Sequence, residues 1–377
     1  MDNLTHSLVG LTAAKAGLEK LSPHTTIVCL LSANAADADF IALVFGDRWT
    51  LLQHHRGITH SIVGTLAIGL IVPALVLLIE RIISLVRKRR SQIRPLGLLL
   101  ASLIAATTHP ILDWTNNYGV RPFLPWSGRW FYGDLVFIAD PYIWLGLGGI
   151  VFLLTSDKRW KLFGWSIIGA IATLVLVAAS TQEPAVRMAL VIWLLGLSCL
   201  VIVRMRAGHQ GIGRRAAAGA LCGLVVYWGC LALVHQLAVS QTSTIASNLA
   251  ASHSEQVLRT ATMPSAATPF RWQSVAETNA AFYKFGLRIG SGDANQSDGP
   301  VARFEKPTGR AAQLISIAGT DRRARVLLDF ARFPLTNISS TDCIGQTLVQ
   351  IGDLRYTEPG RVRGNFSVNI PIDCASQ

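Results

Sequence analysis

Histidine and aspartate recur through the first 140 residues of a chain that is otherwise strongly apolar in that part. An ionisable side chain near the centre of a membrane-crossing helix costs about 2.5–3.5 kcal/mol on insertion scales, so its presence there indicates a function. Imidazole nitrogens and carboxylate oxygens are also ligands that Zn²⁺ and Mn²⁺ accept in proteins. The candidate site residues are therefore His6, Asp37, Asp39, His54, His55, His60, His109, Asp113, Asp134 and Asp140.

The sharpest local pattern is His109 followed four residues later by Asp113. On one helix these two side chains share a face and are able to bind one cation together. Pro110 is compatible with such a helix if it lies in the first turn. The alternative is a hydrogen-bonded histidine beside an aspartate at a helix end, because this spacing also arises by chance.

A second cluster places His54, His55 and His60 within seven residues, immediately before the longest apolar run. Three imidazoles exceed what packing requires, and Arg56 between them supplies a planar guanidinium that suits a phosphate or carboxylate oxygen. We assign Arg56 the role of neutralising charge during catalysis. The alternative is a polar loop at the membrane surface.

Asp37 and Asp39 form the third cluster, at the end of an apolar helical run. On a non-helical segment, one carboxylate could bind a metal while the other reaches a second metal or orients a histidine, which makes Asp39 a catalytic candidate. Asp39 could instead cap the following residues, and His6 alone could be a histidine near a helix start.

The combination favours a metal site, because a metal ion gathers three to six ligands from several elements. We predict one or two ions, with Zn²⁺ as the first expectation and Mn²⁺ as the alternative, and a metal-bound water as the nucleophile. A polar and aromatic stretch follows these ligands and could line a substrate pocket. Its candidate substrate residues are Asn116, Arg121, Arg129 and Asp134.

The composition identifies the setting of these residues as a membrane. The 377 residues are 51% hydrophobic and 15% charged, whereas soluble domains are about 25% charged. This excludes a disordered chain and a coiled coil. The net charge of +12 is concentrated in the apolar part, where residues 1–240 hold 20 basic and 11 acidic side chains. Since short basic loops orient membrane proteins, this charge does not indicate a nucleic-acid partner.

The apolar runs predict a polytopic helical bundle followed by a small β-rich soluble domain. We place the membrane-embedded metal-site domain at 1–155, further transmembrane helices at 156–240 and the β-rich domain at 241–377. The predicted membrane segments are 62–86, 96–112, 135–155, 162–180, 186–203 and 216–239. The apolar pair 4–18 and 25–45 is predicted to form a hairpin that either crosses the membrane or dips into it from the outer side. The predicted strands include 282–289, 313–317, 326–330, 347–351 and 365–370.

Three basic clusters, at residues 87–94, 158–161 and 204–215, set the predicted orientation. The positive-inside rule assigns all three to the cytoplasm, and two segments separate each cluster from the next. The last segment then delivers residues 241–377 to the outside. Cys343 and Cys374 could pair in an oxidising compartment there, or remain two unrelated thiols.

The ordered motifs resemble those of the YdjM-like family, whose members are regarded as membrane-bound metal-dependent hydrolases. The matching motifs are DNLTHS at 2–7, NAADAD at 34–39, HRGITHS at 55–61, HPILDWTN at 109–116, RWFYGD at 129–134 and DP at 140–141, with further similarity at 263–272, 330–334 and 353–356. The resemblance implies a multi-pass protein of the bacterial inner (plasma) membrane.

The order of His and Asp is in turn similar to that of zinc-dependent phospholipase C and P1 nuclease, helical proteins that cleave phosphate esters at a metal cluster. This similarity implies ligands at His6, one or both of Asp37 and Asp39, His55 or His60, and His109 with Asp113. Two departures are Ala35-Ala36, where family members usually carry Leu-Pro, and the lack of a clear counterpart of the later His-x-x-x-Glu ligands. We therefore expect one or two ions rather than three.

The sequence thus predicts a phosphodiesterase or phospholipase-like membrane enzyme, with membrane lipids as the expected partner and substrate and the oligomeric state left open. The first alternative is a metal hydrolase of another bond, although the His-Glu-x-x-His helix of zinc proteases is absent. The second is an inactive or structural envelope-stress protein. The third is a proton-coupled transporter, which the confinement of ionisable residues to the first third disfavours.

The orientation is testable with an alkaline-phosphatase fusion after Gln377. We expect high phosphatase activity, because the enzyme is active only outside the cytoplasm and the last segment delivers residues 241–377 there. A fusion after Arg90, in the first basic cluster, is the matched control and should be inactive. The reverse pattern would contradict the orientation.

Overall fold

The structure is a computed structural model that describes residues 1–207, 213–290, 296–339, 346–358 and 366–373. It is mainly helical through residue 252 and continues into antiparallel sheet, which confirms the predicted fold class. Cys343 and Cys374 lie outside the described residues, so their pairing stays a prediction.

In the described part of the chain, nine α-helices precede the first strand. They are α1 (Asn3–Ala16), α2 (Thr25–Asn34), α3 (Arg48–His54), α4 (Ile62–Val86), α5 (Pro95–Trp114), α6 (Pro141–Thr155), α7 (Arg159–Gln182), α8 (Val186–Ala207) and α9 (Arg214–Ser252). Six stretches of the described chain are long and apolar enough to cross a membrane: Thr25–Leu43, which includes a 3-10 helix after α2, and α4, α5, α7, α8 and α9. Helix α6 is shorter than the predicted segment 135–155.

The described chain divides into two compact units. The first unit contains Met1–Asp39, Arg56–Leu233 and Pro264–Pro269, and the second contains Phe40–His55, Val234–Met263 and Phe270–Gln377. The sixteen residues from Phe40 to His55 therefore leave the first unit and return to it at Arg56. The boundaries predicted at 155 and 240 stay a prediction.

Side-chain caps define where the helices of the first unit begin. Asp2 accepts a hydrogen bond from the backbone of Thr5 at the start of α1, and Ser61 accepts one from Gly64 at the start of α4. Such caps satisfy backbone donors that have no partner within the helix. The caps thereby fix the first turn of the helices that begin beside the candidate site residues His6 and His60.

Small residues let α1, α2 and α5 approach one another closely. Ala14, Cys29, Ala33, Ala101 and Ala105 form one buried cluster among these helices. Gly10 lies at the closest approach, where a Cβ atom would come within 2.8 Å of the carbonyl oxygen of Cys29. Packing through small residues is how helices associate where lipid provides no hydrophobic driving force. This contact brings the end of α2 alongside α5.

The second unit is built on two sheets. The first has strand order β1 (Val257–Pro264), β2 (Arg271–Thr278), β3 (Ala281–Arg288) and β4 (Ala302–Glu305), and the second has order β5 (Pro334–Ile338), β6 (Gln346–Asp353) and β7 (Ser367–Asp373). Strands β2, β3 and β4 pair antiparallel, as do β5, β6 and β7. The predicted strands at 282–289 and 347–351 correspond to β3 and β6.

Two predicted strands are wrong. Residues 313–317 lie in α10 (Gly309–Ala318) and residues 326–330 lie in α11 (Arg322–Phe330). The reason is visible in α11, which buries Ala324, Leu327 and Phe330 at three-residue spacing, the period of a helix rather than a strand. Asp321 caps this helix, and hydrogen bonding from Arg323 lowers the pKa of its carboxyl.

Adjacent leucines of α11 test this assignment. Leu327 is fully buried and Leu328 is 37% exposed. We expect Leu327→Ala to destabilise the β-rich region by about 2–5 kcal/mol, because it empties a packed site. We expect Leu328→Ala, the matched control, to cost less than about 1 kcal/mol. Pulse proteolysis of the full-length protein in urea measures both, and equal losses would contradict the helix.

Candidate metal centre

Four side chains of the first unit converge at a buried point. Asp37, His60, His109 and Asp113 each offer one ligand atom, and these atoms all lie within 4.8 Å of one another. Asp37 comes from the 3-10 helix Ala35–Leu43, His60 from the turn before α4, and the other two from α5. His60, His109 and Asp113 are at most 1% exposed. The fold therefore gathers three separated segments of sequence at one point.

The spacing of these ligand atoms suits a single small cation. The Nε2 atoms of His60 and His109 are 3.1 Å apart, and each lies 3.5 Å from Oδ1 of Asp37. Their distances to Oδ2 of Asp113 are 3.2 and 3.5 Å. Ligands of one tetrahedral Zn²⁺, bound at about 2.0–2.2 Å, lie roughly 3.3–3.6 Å apart. The ligand set and its dimensions fit such an ion.

Hydrogen bonds on the outer side of each ring fix which nitrogen faces inward. His109 donates from Nδ1 to the carbonyl oxygen of Ala33 at 2.7 Å, so the neutral ring carries its lone pair on Nε2. His60 presents Nδ1 to the hydroxyl of Thr59 at 3.0 Å, with Asp39 at 3.4 Å. Both Nε2 atoms therefore face inward, where a cation between them would be a common partner. A hydrogen bond to the ring nitrogen that faces away from the metal is typical of metal-bound histidine.

Asp113 is the most heavily contacted carboxylate of the cluster. Its Oδ1 atom lies 3.0 Å from Nη2 of Arg56 and also contacts the backbone nitrogen of Met1. Its Oδ2 atom is buried without a hydrogen-bond partner in the described chain, although it faces His60 and His109. A buried oxygen left in this way carries a large desolvation cost, which a bound cation would offset.

His6 lies against the cluster but outside the group of four. Its ring stacks on that of His109 with centroids 3.7 Å apart, and its Nε2 atom is 3.4 Å from Oδ1 of Asp113. Neither ring nitrogen has a hydrogen-bond partner among the described residues, although the side chain is fully buried. His6 is therefore a further available ligand for an ion that also binds Asp113.

Asp39 and Arg56 flank residues 40–55, the stretch that leaves the first unit, and a hydrogen bond connects these two flanking positions. The backbone nitrogen of Arg56 donates to Oδ2 of Asp39 at 3.0 Å, and the hydroxyl of Thr59 reaches the same oxygen at 3.2 Å. Asp39 lies inside the 3-10 helix Ala35–Leu43 and is connected by these contacts to residues 56 and 59. Arg56 has a φ of 53°, a left-handed conformation that costs a non-glycine residue about 1–2 kcal/mol. The surrounding hydrogen bonds hold it there.

The guanidinium of Arg56 is buried, and most of its nitrogen atoms have partners within the protein. Its Nη1 atom donates to Oδ1 of Asn116 at 2.9 Å, and the group lies 4.5 Å from the ring centroid of Tyr118. Only Nε lacks a hydrogen-bond partner among the described residues. Arg56 and Asn116 therefore adjoin the cluster through Asp113, while one guanidinium N–H remains available.

The other predicted residues lie outside the group of four. His54 ends α3 and is exposed, and His55 belongs to the second unit, where its ring lies 4.8 Å from that of Phe40. Among the substrate candidates, Arg121 is buried over the ring of Trp130, Arg129 is exposed beside Phe131, and Asp134 is buried with a φ of 51°.

Asp140 and Pro110 have structural explanations. Asp140 caps α6 by accepting hydrogen bonds from the backbone of Tyr142 and Ile143, and the hydroxyl of Tyr227 donates to it at 2.8 Å. Pro110 lies inside α5 rather than in its first turn, so that expectation is wrong. Proline within a membrane helix is tolerated because neighbouring groups satisfy the freed carbonyl.

Sequence reasoning missed two supporting groups. Thr59 contacts both His60 and Asp39, and its position within HRGITHS was a usable signal. The carbonyl of Ala33 accepts from His109, and no side-chain pattern reports a backbone oxygen. Its role depends on the close packing of α2 against α5.

Comparisons with known proteins match the chain to a family and to a curated relative. Residues 1–205 match the YdjM inner membrane protein family. The chain is also similar to YfhP, an uncharacterised protein of Bacillus subtilis (strain 168), with 28% identity over 154 residues. That alignment covers 38% of this chain and 43% of YfhP, so the similarity spans less than half of that relative. No solved structure matches the chain.

The cluster predicts which histidines retain a metal. We expect His60→Gln and His109→Gln each to abolish stoichiometric metal binding in purified protein, because each removes an inward Nε2 atom. His54→Gln, an exposed histidine outside the group of four, is the matched control and should leave the metal content unchanged. Elemental analysis after dialysis measures the content. Equal metal in all three variants would contradict the site.

Proposed function

The chain belongs to the YdjM inner membrane protein family, and on that premise we propose that it is a membrane-bound metal-dependent hydrolase that cleaves a phosphoester. The observation that carries the proposal is the convergence of Asp37, His60, His109 and Asp113 among helices long enough to cross a membrane. Packing alone gives no reason to gather two carboxylates and two imidazoles at a largely buried point, whereas a divalent cation does.

The donor set favours Zn²⁺, with Mn²⁺ as the alternative, because it combines imidazole and carboxylate without thiolate. When bound, such an ion supplies a water of lowered pKa and polarises a phosphoryl oxygen. Asp37, His60, His109 and Asp113 would hold it, and His6 is available to complete the ligand set or to serve a second ion. Asp39 acts as a positioning residue, since its carboxylate contacts both Arg56 and Thr59.

Arg56 is the group proposed to bind the phosphoryl oxygens. Its guanidinium already contacts Asp113, so it lies beside the ligand set rather than at a distance. The unpartnered Nε donor is suited to an anionic oxygen, and a buried charge-assisted hydrogen bond is stronger than one in water. Arg56 would thereby stabilise negative charge that develops on the phosphate. Lysine would be a poor replacement, because it lacks the planar fork.

A cavity of about 400 Å³ next to the cluster supports a lipid-like substrate. Helices α4 and α5 and residues 120–131 form its wall, which is mostly apolar and includes His60. Ile62, Leu66 and Ile111 line it and are about half exposed on candidate membrane spans. These exposed apolar side chains would let a lipid enter the cavity beside the ligand set.

Hydrolysis by purified protein tests the proposal. We expect metal-dependent cleavage of a soluble phosphodiester, bis(p-nitrophenyl) phosphate, and of phospholipid in vesicles, with chelation abolishing both. His109→Gln and Asp113→Asn should lose activity by at least about 100-fold, since loss of a ligand removes the metal and the chemistry that it supplies. Arg56→Lys should retain the metal and lose activity.

His54→Gln is the control, with activity like that of the wild type. A panel containing acyl esters and amides identifies the bond. If the protein cleaves only acyl esters or amides, the substrate is not a phosphoester and the proposal is wrong on that point. The absence of any metal-dependent cleavage would favour an inactive or structural protein.

A further inference from the structure

A second cavity, of about 560 Å³, lies in the first unit among α1, α6, α7 and α8. The group of four ligands is not in its wall. Its volume is within the range of about 300–1,000 Å³ that is usual for ligand pockets. The features that determine its occupant are the chemistry of the wall and the charge at one end.

The polar groups of the wall are already satisfied within the protein. The indole N–H groups of Trp165 and Trp193 donate to Thr155 and Thr173 at 2.9 and 2.8 Å. The hydroxyls of Ser166 and Thr173 donate to backbone carbonyls one turn earlier in α7. The rest of the wall is carbon from leucine, phenylalanine, glycine and similar residues. The cavity therefore offers an occupant apolar contact, which suits a hydrocarbon chain.

Basic side chains lie at one end of this cavity. Arg159 precedes the lining residue Leu162 by one turn of α7, and Lys158 is the N-cap residue of that helix. Arg204 follows the lining residue Leu200 by one turn of α8. Residues three or four apart share a helix face, so these cations adjoin the cavity. Arg204 also bonds Ser156, which connects the ends of α8 and α6.

Among the described residues, the positive charge at this end is only partly neutralised. Asp157 is the acidic residue nearest in sequence, and it pairs with Lys161 at 2.7 Å. Lys158 and Arg159 are exposed, and Trp160 beside them is 69% exposed, as expected of an aromatic residue at a membrane interface. Basic clusters at the ends of membrane helices attract anionic lipid headgroups, each cation contributing about 1 kcal/mol near the surface.

We propose that this cavity binds an anionic phospholipid, with an acyl chain in the apolar cavity and the headgroup phosphate against Lys158 and Arg159. The two observations are complementary: a zwitterionic lipid would leave the net positive charge uncompensated, and a free phosphate would leave the cavity unfilled. The site is separate from the proposed catalytic centre and does not depend on hydrolysis. It anchors the lipid at the end of the bundle that the positive-inside rule assigns to the cytoplasm.

Two glycines of α7 give a matched pair of variants. Gly169 lines the cavity, and a Cβ atom there would meet nothing within 4 Å. Gly164, on the same helix, has equally open surroundings but does not line the cavity. Phe in place of Gly169 would occupy the space of the acyl chain without a backbone clash. The same change at Gly164 would add an equal side chain elsewhere.

The experiment is photo-crosslinking of the full-length protein in phosphatidylcholine vesicles that contain a phosphatidylglycerol with a photoreactive acyl chain. We expect labelling of α7 and α8 in the wild type, a several-fold loss in Gly169→Phe and no loss in Gly164→Phe. Unlabelled phosphatidylglycerol should compete, and inorganic phosphate should not. Equal labelling of Gly169→Phe and wild type would overturn the proposal.

The contact with the headgroup is tested by substituting exposed residues, because such changes do not disturb the packed interior. We expect Lys158→Glu combined with Arg159→Glu to abolish the preference for photoreactive phosphatidylglycerol over the matching phosphatidylcholine. Arg187→Glu, an exposed cation at the opposite end of α8, is the control and should keep that preference. Equal labelling of the wild type by the two lipids would show unselective solvation by the bilayer and overturn the proposal.

Discussion

The negative charge of a carboxylate that is buried among apolar helices must be compensated by nearby partners. Asp113 is such a carboxylate in the first unit. The desolvation cost of such a group is several kcal/mol and is offset only by close partners. Arg56, His6, His60 and His109 surround it, each within 3.5 Å. These partners come from α1, from the turn before α4 and from α5 itself, so compensation of one charge requires those segments to be packed together.

The packing of small residues makes that arrangement possible. Gly10, Cys29 and Ala33 let α1 and α2 approach closely, and Ala101 and Ala105 do the same on α5. The carbonyl of Ala33 thereby reaches His109 and fixes the ring nitrogen that faces the cluster. Apolar packing and polar chemistry are thus coupled: a larger residue at this contact would displace a hydrogen bond that sets the orientation of a ligand.

Asp39 and Arg56 are the first-unit residues on either side of residues 40–55, which belong to the second unit. The chain leaves the first unit after Asp39 and re-enters at Arg56, and a backbone-to-carboxylate hydrogen bond joins these two residues. The left-handed conformation of Arg56 turns its side chain into a network with Asp113 and Asn116. A residue held in a strained conformation by several partners is characteristic of functional sites.

Much of this protein was determined by the sequence alone. Long apolar runs can be satisfied only as helices in a bilayer, and His109 and Asp113 on one helix must share a face, because helical spacing is local. The strands at 282–289 and 347–351 followed from branched and aromatic runs. Residues 326–330 have a similar composition but form part of a helix. In that helix, the buried residues Ala324, Leu327 and Phe330 are three positions apart. Only the packed structure shows which residues are buried.

The selection among ligands required the tertiary structure. The sequence offered His55 or His60, and one or both of Asp37 and Asp39, without a way to choose. The structure groups His60 and Asp37 with His109 and Asp113, and Asp39 accepts hydrogen bonds from Arg56 and Thr59. Ligand sets are defined by distances between segments far apart in the chain, and those distances depend on helix packing and backbone hydrogen bonds that no local pattern encodes.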